Sequence, residues 1–183
     1  ASSNYGRSES GKSQQALVEF VSANPTGPLT VGHGRQAVIG DVVARILEWN
    51  GFSVEREYYY NDAGRQMRLL GESVRARYLE ILNEKRAFPE GGYEGEYIRE
   101  IAQKIHEEKG KTLKDETEVT AFRDAAEEEI FADIKSTVEQ LGIHFDSFMN
   151  EQRFYDEGSL DEVVILLRKK GLVYDKDGAV WLK

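Results

Sequence analysis

Short apolar runs and helical periodicities alternate in the first third of the chain. Residues 17–21 form a β-prone run that ends in a turn-rich stretch with two prolines, which predicts a strand. The next apolar residues recur at helical spacing before Asn50-Gly51, where a glycine can end a helix. They are Ile39, Val42, Val43, Ile46 and Leu47. Residues 54–60 predict a second strand, so residues 17–64 are expected to form one βαβ unit with parallel strands.

The pattern is helical from residue 65 to residue 143. Breaks at residues 88–92 and 110–117 divide this region into about three predicted helices. The last helix has an apolar stripe at steps of three or four residues, formed by Phe122, Ala126, Ile130, Ile134, Val138 and Leu141. We interpret the region as a helical insertion into the α/β unit.

Residues 144–183 predict a return to the sheet, with a strand at residues 145–148. Ser159 and Glu162 have the spacing of a capping box, which predicts a helix that begins there. Residues 173–174 and 179–182 flank a turn sequence that ends in Asp177-Gly178, which predicts a β-hairpin. The chain stops directly after this hairpin, so we expect the α/β unit to be truncated.

Charge and composition exclude some classes of function. The 183 residues include 24 Lys and Arg against 33 Asp and Glu, a net charge of −9, which excludes a strongly basic, DNA-coating protein. Residues 107–139 contain five basic and eleven acidic residues, so most of the negative charge lies in the helical insertion. Hydrophobic residues make up 40% of the chain, which is typical of a protein with a packed core.

The chain has no cysteine, so disulfides and thiolate zinc sites are excluded. It also lacks an apolar run of the roughly 20 residues that a membrane span needs. We therefore expect a soluble cytoplasmic protein with neither DNA nor a membrane as partner.

Residues 1–16 are polar and rich in serine and glycine, which predicts a flexible leader. Residues 6–13 match the Walker A pattern letter for letter. A phosphate-binding loop of that kind needs a preceding strand and a following helix, whereas a strand is predicted after Ser13. We therefore reject a phosphate site there.

The segment between the first strand and the first helix is a stronger candidate. In an open α/β sheet, ligands bind at the carboxyl ends of the strands, where a helix N-terminus offers free N–H groups and a partial positive charge. Gly32 would let a nucleotide approach the backbone, and Thr30 and His33 could reach phosphate oxygens. A capping or packing role for this Gly-His pair is the alternative.

The segment resembles the first signature of the arginyl-tRNA synthetases, which are class I aminoacyl-tRNA synthetases. Five further parts of the chain resemble the same family in order: residues 18–20, 61–66, 95–97, 141–146 and 178–182. Thr30 stands where the family has its first signature histidine, so a hydroxyl replaces an imidazole. The signature itself reads Ser22-Ala23-Asn24-Pro25-Thr26-Gly27-Pro28-Leu29-Thr30-Val31-Gly32-His33.

The resemblance implies a Rossmann-like (HUP-type) α/β fold, here a parallel-sheet half-domain with an inserted α-helical region and a C-terminal β-hairpin. It also implies ATP-dependent activation of L-arginine and transfer of the arginine to tRNA, with Mg²⁺ on the nucleotide and no metal-ligating residue of its own. His33 and Thr30 would be catalytic, and the ATP site would comprise Gly27, Thr30, Gly32 and His33. The family's other domains are missing, so we expect the chain to be inactive alone.

By position, Ser22, Asn24 and His33 would hold the amino and carboxylate end of arginine. Glu19 could pair with the guanidinium, or it could be solvated on a sheet face. Asn61, Asp62 and Gln66 could border the pocket, and Asp62 could equally be a helix N-cap. These sets complete the predicted site.

Other polar residues receive simpler interpretations. His106 and His144 are expected to be structural or solvated, because neither has a surrounding acid and glycine constellation. Any tRNA contact in the helical insertion would use local basic residues such as Arg65, Arg68, Arg75 and Arg77. Two other functions stay open on the residues alone: a small nucleotidyl transferase that uses a shorter signature, and a non-catalytic acidic helical interaction module.

Overall fold

The computed structural model describes residues 3–84 and 86–183. It contains a mixture of strands and helices, which confirms the predicted α/β class. In chain order the elements are β1 (Gln15–Glu19), α1 (Val31–Trp49), β2 (Ser53–Tyr60), α2 (Gly64–Ile81), α3 (Glu96–Lys109), α4 (Thr120–Gln140), β3 (Ser147–Asn150), α5 (Gln152–Asp156), α6 (Ser159–Lys169), β4 (Val173–Lys176) and β5 (Ala179–Leu182).

The main sheet has three parallel strands in the order β1-β2-β3. Gln15 pairs with Ser53 at the start of the β1–β2 ladder, and Glu57 pairs with Ser147 at the start of the β2–β3 ladder. The predicted βαβ unit is therefore confirmed. Because all three strands run the same way, their carboxyl ends lie at one edge of the sheet.

The predicted hairpin is also confirmed, as the antiparallel pair β4 and β5. Asp177 and Gly178 form its turn with φ values of +53° and +76°. Two consecutive positive φ values are those of a type I′ turn, whose twist matches that of the flanking strands.

Helix α1 packs on the sheet through its small residues. Ala37, Gly40 and Ala44 are buried, and a Cβ atom added at Gly40 would lie 2.1 Å from Cγ of Phe20. The absence of a side chain at Gly40 thus lets the helix approach the end of β1. The larger apolar residues of the helix face outward, with exposed fractions between 44% and 56%, and they are Val38, Ile39, Val42, Val43 and Ile46.

The helical insertion contains three helices, as predicted, and it holds most of the hydrophobic core. Five residues of the predicted stripe on α4 are buried, and the sixth, Leu141, is 52% exposed because it follows the last turn of the helix. Helix α2 buries Met67, Leu70, Val74 and Tyr78 against α3 and α4. The three helices of the insertion thus bury their apolar side chains against one another.

Three details of the C-terminal region differ from the sequence predictions. The predicted helix begins at Ser159, but the predicted capping box is wrong. Gly158 is the N-cap of α6, in the left-handed conformation with φ +72°, and Ser159 is already helical. The strand begins at Ser147, and Phe145 before it packs on Phe20 with ring centroids 4.5 Å apart. Helix α5 was not predicted, because five residues are too few for a periodic pattern to show.

Residues 3–14 form turns that pack on the connection between α1 and β2. The Gly11 N–H donates to the Asn50 carbonyl and the Ser13 N–H donates to the Gly51 carbonyl, both at 2.8 Å. Strand β1 begins at Gln15, inside the range predicted as a leader, whose residues 1–2 lie outside the described residues. A strand follows Ser13, as predicted, and no helix does.

None of the described helices is long and apolar enough to cross a bilayer.

Candidate active site

The candidate site lies at the carboxyl edge of the parallel sheet. Strand β1 ends at Glu19, β2 at Tyr60 and β3 at Asn150, while α1 begins at Val31 after the loop that follows β1. We call residues 20–30 the β1–α1 loop. It carries four of the ten predicted site residues, and the others lie at the end of β1, in the first turn of α1 and after β2. The fold therefore brings them to the edge where ligands of α/β proteins bind.

The β1–α1 loop starts with an unusual backbone. Val21 and Ser22 both have positive φ values, +66° and +43°, which is rare for a β-branched residue such as valine. The resulting bend turns the Ser22 hydroxyl back to the sheet, where it donates to Oε1 of Glu19 at 2.7 Å and accepts from the Tyr59 N–H at 3.2 Å. Ser22 and Glu19, predicted to bind arginine, are therefore adjacent, and both interpretations of Glu19 remain compatible with its exposed position.

Tyr58 on β2 hydrogen-bonds the backbone of the β1–α1 loop. Its side chain is fully buried, and its hydroxyl donates to the Ala23 carbonyl at 2.8 Å and accepts from the Ala23 N–H at 3.1 Å. Burial raises the pKa of Tyr58 to about 12, partly offset by the bond to Ala23. The phenol therefore stays neutral, and its hydroxyl binds both the N–H and the carbonyl of Ala23.

Asn24 links the loop to the end of β2 and the start of α2. Its Oδ1 accepts from the Asn61 N–H at 2.9 Å, and its Nδ2 donates to Oε1 of Gln66 at 3.2 Å. The Asn61 side chain in turn accepts from the Ala63 N–H at 2.8 Å. Three predicted site residues, Asn24, Asn61 and Gln66, thus form one hydrogen-bonded network.

Thr30 and His33 meet at the first turn of α1. Thr30 is the N-cap, and its backbone N–H donates to Nδ1 of His33 at 3.0 Å. Because Nδ1 acts as acceptor, the neutral imidazole carries its hydrogen on Nε2. A Cβ atom at Gly32 would meet only the Thr30 hydroxyl, at 3.5 Å, so the backbone at this turn is open on its outer side.

The helical insertion contacts the loop through Tyr97. The hydroxyl of this α3 residue donates to the Thr26 carbonyl at 2.8 Å, and it would lie 3.0 Å from a Cβ atom at Gly27. Gly27 thus allows the close approach of Tyr97. This packing role is separate from the predicted contact of Gly27 with ATP. A cavity of about 350 Å³ lies beside this contact, between Pro28 and helices α3 and α4.

Asp62 is not the N-cap of α2, a position that Ala63 occupies. Its Oδ2 accepts from Nδ2 of Asn150 at the end of β3, and its Oδ1 is buried without a partner among the described residues. Burial, followed by the Asp62 charge, raises the pKa of Glu127 on α4 to about 6. The cap prediction failed because the side chain reaches across the sheet edge to β3.

The basic residues named for tRNA contact differ in exposure. Arg65 and Arg68 are exposed, whereas Arg75 is buried. Arg77 pairs with Glu80 at 2.9 Å. Arg65 and Arg68 are therefore accessible for the predicted tRNA contact, which stays a prediction.

The two remaining histidines behave as predicted. The Nδ1 atom of His106 lies 3.1 Å from the Gly110 carbonyl at the end of α3, and His144 is exposed.

Sequence reasoning missed Tyr58, Tyr97 and Asn150 as supports of the site. A buried phenol needs a hydrogen-bond partner, and this requirement is the signal that could have identified the two tyrosines. Asn150 gave no signal, because its partner Asp62 is 88 residues away.

The whole chain, residues 1–183, matches the protein family described as tRNA synthetases class I (R), catalytic domain. It is 58% identical to the arginine–tRNA ligase of Desulfotalea psychrophila over 183 residues, which is 100% of this chain and 33% of that protein. It is 48% identical to the arginine–tRNA ligase of Salinibacter ruber over 195 residues, covering 98% of this chain and 35% of that protein. The chain thus spans about a third of the length of the curated relatives it matches.

Solved structures agree with this assignment. A crystal structure described as that of an arginyl-tRNA synthetase from Campylobacter jejuni superposes with a TM-score of 0.85 at 37% identity, covering 98% of this chain and 39% of that one. The Thermus thermophilus arginyl-tRNA synthetase, at 23% identity and a TM-score of 0.58 over 91% of this chain and 29% of that one, shares the fold. Because the family model matches all 183 residues, the chain belongs to the family of class I tRNA synthetases (R), catalytic domain.

Proposed function

We propose that this chain provides the first part of an arginine–tRNA ligase catalytic domain, which activates L-arginine with ATP and transfers it to tRNA. The observation that carries the proposal is the β1–α1 loop at the carboxyl edge of the sheet, with His33 fixed by Thr30 at the start of α1. The 58% identity to an arginine–tRNA ligase over the whole chain supports it. The family match gives no support to the small nucleotidyl transferase or to the acidic interaction module.

The phosphates of ATP would bind at the start of α1. The free N–H groups of this turn carry a partial positive charge of roughly +0.5, which favours an anion. The hydrogen on Nε2 of His33 is available to donate to a phosphate oxygen, because Nδ1 is already engaged by Thr30. Gly27, Gly32 and the Thr30 hydroxyl complete this proposed ATP site.

The chemistry requires positioning rather than a covalent intermediate on the protein. An oxygen of the arginine carboxylate attacks the α-phosphorus of ATP, the bond to the β,γ-phosphates breaks, and pyrophosphate leaves with its electron pair. A 3′-terminal hydroxyl of tRNA then attacks the carbonyl carbon of arginyl-adenylate, and AMP leaves. His33 and Thr30 would stabilise the charge that develops on the α-phosphate oxygens.

Mg²⁺ would enter with the nucleotide. No group of three His, Cys, Asp or Glu side chains converges within residues 3–84 and 86–183, so the ion would be held mainly by phosphate oxygens. When bound, it neutralises phosphate charge and makes pyrophosphate a better leaving group.

Arginine would lie on the sheet side of the same loop. Ser22, Asn24 and His33 would hold its amino and carboxylate end, and the exposed carboxylate of Glu19 would attract its guanidinium. Asn61, Asp62 and Gln66 would border this pocket. Asn24 hydrogen-bonds the Asn61 N–H and Gln66, and Asp62 accepts from Asn150. These assignments explain why polar side chains at the ends of three strands are cross-linked by hydrogen bonds.

The proposed partners are L-arginine, ATP and tRNA, with neither DNA nor a membrane. The proposed compartment is the cytoplasm, where tRNA is charged for translation.

A graft tests the proposal. The matched third of the Desulfotalea psychrophila ligase is replaced by this chain, and arginine-dependent exchange of pyrophosphate into ATP and charging of tRNA are measured. We expect both activities in the graft and neither in the 183-residue chain alone. Exchange supported by another small acid instead of arginine would favour a nucleotidyl transferase, and a folded graft without any exchange would contradict the proposal.

A further inference from the structure

Arg75 is a largely buried arginine in the middle of α2. It is 7% exposed, and its Nε atom is buried without a hydrogen-bond partner. Across residues 3–84 and 86–183, no ion pair or hydrogen bond involves its guanidinium. A guanidinium does not lose its proton in a protein, so burial cannot be relieved by neutralisation.

Neighbouring arginines show how unusual this is. Arg56 is partly buried and pairs with Glu48 at 2.7 Å, and Arg77 pairs with Glu80 at 2.9 Å while it stacks on the ring of Phe88. Buried charges in proteins are normally paired in this way. Nε of Arg77 is also buried without a partner, but its Nη1 is paired, whereas Arg75 has no ionic partner among the described residues. The surroundings of Arg75 therefore favour an external anion.

A cavity of about 270 Å³ adjoins Arg75. A second guanidinium, that of the exposed Arg86, also lines it, and the hydroxyl-bearing Thr117 lies on the wall. Burial, followed by the like charge of Arg86, lowers the pKa of Arg75, so the two cations act on each other through this space. The full lining is Glu72, Arg75, Ala76, Arg86, Ala87, Pro89, Thr117 and Val119.

The nearby carboxylates are engaged elsewhere. Glu72 lines the cavity, but its Oε1 lies 3.7 Å from Nη1 of Arg68, one turn earlier on α2. Glu116 attracts Arg75 at longer range, while its Oε1 accepts from the Glu118 N–H at 3.1 Å. Neither carboxylate forms an ion pair with Arg75 or Arg86 in the described part of the chain.

We propose that Arg75 and Arg86 form a phosphate-binding site in the helical insertion. Two guanidiniums match the charge of a phosphate dianion better than that of a single carboxylate, and their planar donor sets suit its oxygens. Arg75 lies eleven residues after the start of α2, or about 16 Å along the helix, so the site is separate from the candidate active site. It does not depend on the proposed ligase activity.

Phosphate titration of the 183-residue chain tests the site. The probe is inorganic phosphate, added against sodium chloride at equal ionic strength, and the readouts are the arginine Nε–Hε signals in ¹H–¹⁵N spectra and the thermal unfolding midpoint. We expect one buried arginine signal to shift in a saturable way and the midpoint to rise. Arg86→Gln should weaken the binding about tenfold, because it removes one of two charges, whereas the exposed Arg45→Gln on α1 should not.

Arg75→Met separates a binding role from a structural one. It removes an uncompensated buried charge and keeps most of the side-chain volume, so without phosphate the variant should unfold at the same or a higher temperature. With phosphate, its midpoint should no longer rise. A lower midpoint without phosphate, an unchanged phosphate response, or an equal response in Arg45→Gln and the two site variants would overturn the proposal.

The phosphate could be free or part of an RNA backbone, and competition distinguishes the two. A short RNA duplex that displaces inorganic phosphate from the wild type but does not bind Arg75→Met identifies a backbone phosphate. Phosphate binding that the duplex leaves unchanged identifies a free phosphate, and both results support the site.

Discussion

His33 shows how one side chain acquires a defined chemical state from its local backbone. The Thr30 N–H occupies Nδ1 at 3.0 Å, so the imidazole can present only Nε2–H to a ligand at the helix start. A hydrogen-bond donor fixed before the reaction costs no reorganisation when phosphate charge develops.

We predict that His33→Ala in the graft slows adenylate formation by about 100-fold or more, because one fixed donor to the phosphate is lost. Pyrophosphate exchange at saturating arginine and ATP measures it. His144→Ala, which removes an exposed imidazole, is the control and should leave the rate unchanged. Equal rates in the two variants would remove His33 from the site.

Asn24 predicts a different kinetic pattern. Asn24→Ala breaks the bonds to the Asn61 N–H and to Gln66 on the side where arginine is proposed to bind. In the graft, KM for arginine should rise about tenfold or more, and KM for ATP should change much less. Gln140→Ala at the end of α4 is the control, and an equal rise in both constants would contradict the assignment.

Glu127 makes the stability depend on pH. Its pKa of about 6 in the folded chain exceeds the roughly 4.3 of an unfolded glutamate, so the folded state binds more protons between these values. This contribution is fully present below pH 4.3 and is lost as the pH rises through 6. Glu127→Gln should therefore raise the unfolding midpoint at pH 7.5 and lose that advantage near pH 4.5.

Thermal unfolding across this pH range measures the effect. The exposed neighbour Glu128→Gln is the matched control and should show no comparable trend. A gain from Glu127→Gln that is the same at both pH values would contradict the titration of this carboxyl.

At the residue scale, local motifs were predictable and long-range partners were not. Ser22, Asn24, Thr30 and His33 follow from one continuous segment. The bond between Asp62 and Asn150 joins residues 88 positions apart, which no local pattern indicates. Asp62 consequently looked like a helix cap, although the fold uses it to connect two strand ends.

At the element scale, α1 depends on small residues for its contact with the sheet. The Gly40 backbone lies against Phe20 so closely that an added methyl group would overlap the ring. Gly34, in the first turns of the same helix, has no atom within 4 Å of an added Cβ. A side chain is therefore excluded at Gly40 and has room at Gly34.

We predict that Gly40→Ala destabilises the chain by about 1–3 kcal/mol, because overpacking outweighs the better helix propensity of alanine. Gly34→Ala, the matched control, should stabilise it by about 0.5–1 kcal/mol through propensity alone. Urea unfolding of both variants measures the difference. A stabilising Gly40→Ala would show that α1 can move away from Phe20 without cost.

Most elements could be predicted because their periodicity spans several turns or a complete strand. The stripe from Phe122 to Val138 gave α4, and Asp177-Gly178 gave the hairpin turn. The periodicity of α1 located the helix but not its buried face, since its small residues contact the sheet and its large ones face outward. Burial depends on which surfaces contact each other in the folded chain. The periodicity of one helix does not contain that information.

At the scale of the whole molecule, α1 presents an outward apolar face. Val38, Ile39, Val42, Val43 and Ile46 lie side by side on one helix, and each is at least 44% exposed. Contiguous apolar surface of this kind promotes association in water. The net charge of −9 opposes association but does not cover the face.

We predict concentration-dependent self-association of the 183-residue chain that the double variant Ile39→Gln/Val43→Gln suppresses. The variant should change the free energy of unfolding by less than about 1 kcal/mol, because both side chains are already exposed. Sedimentation velocity and urea unfolding are the measurements. Ile134→Gln in the buried stripe of α4 is the contrast, and a similar loss of stability in the α1 variant would contradict its exposure.

The hydrogen bond between Tyr97 and the Thr26 carbonyl joins residues 71 positions apart. Contacts of such separation form late, because a long loop must close before they are made. During synthesis, the segment around Gly27 can therefore reach its final shape only after α3 has left the ribosome and docked. The β1–α1 loop, although it lies near the start of this sequence, therefore reaches its final conformation only after the middle of the sequence has folded.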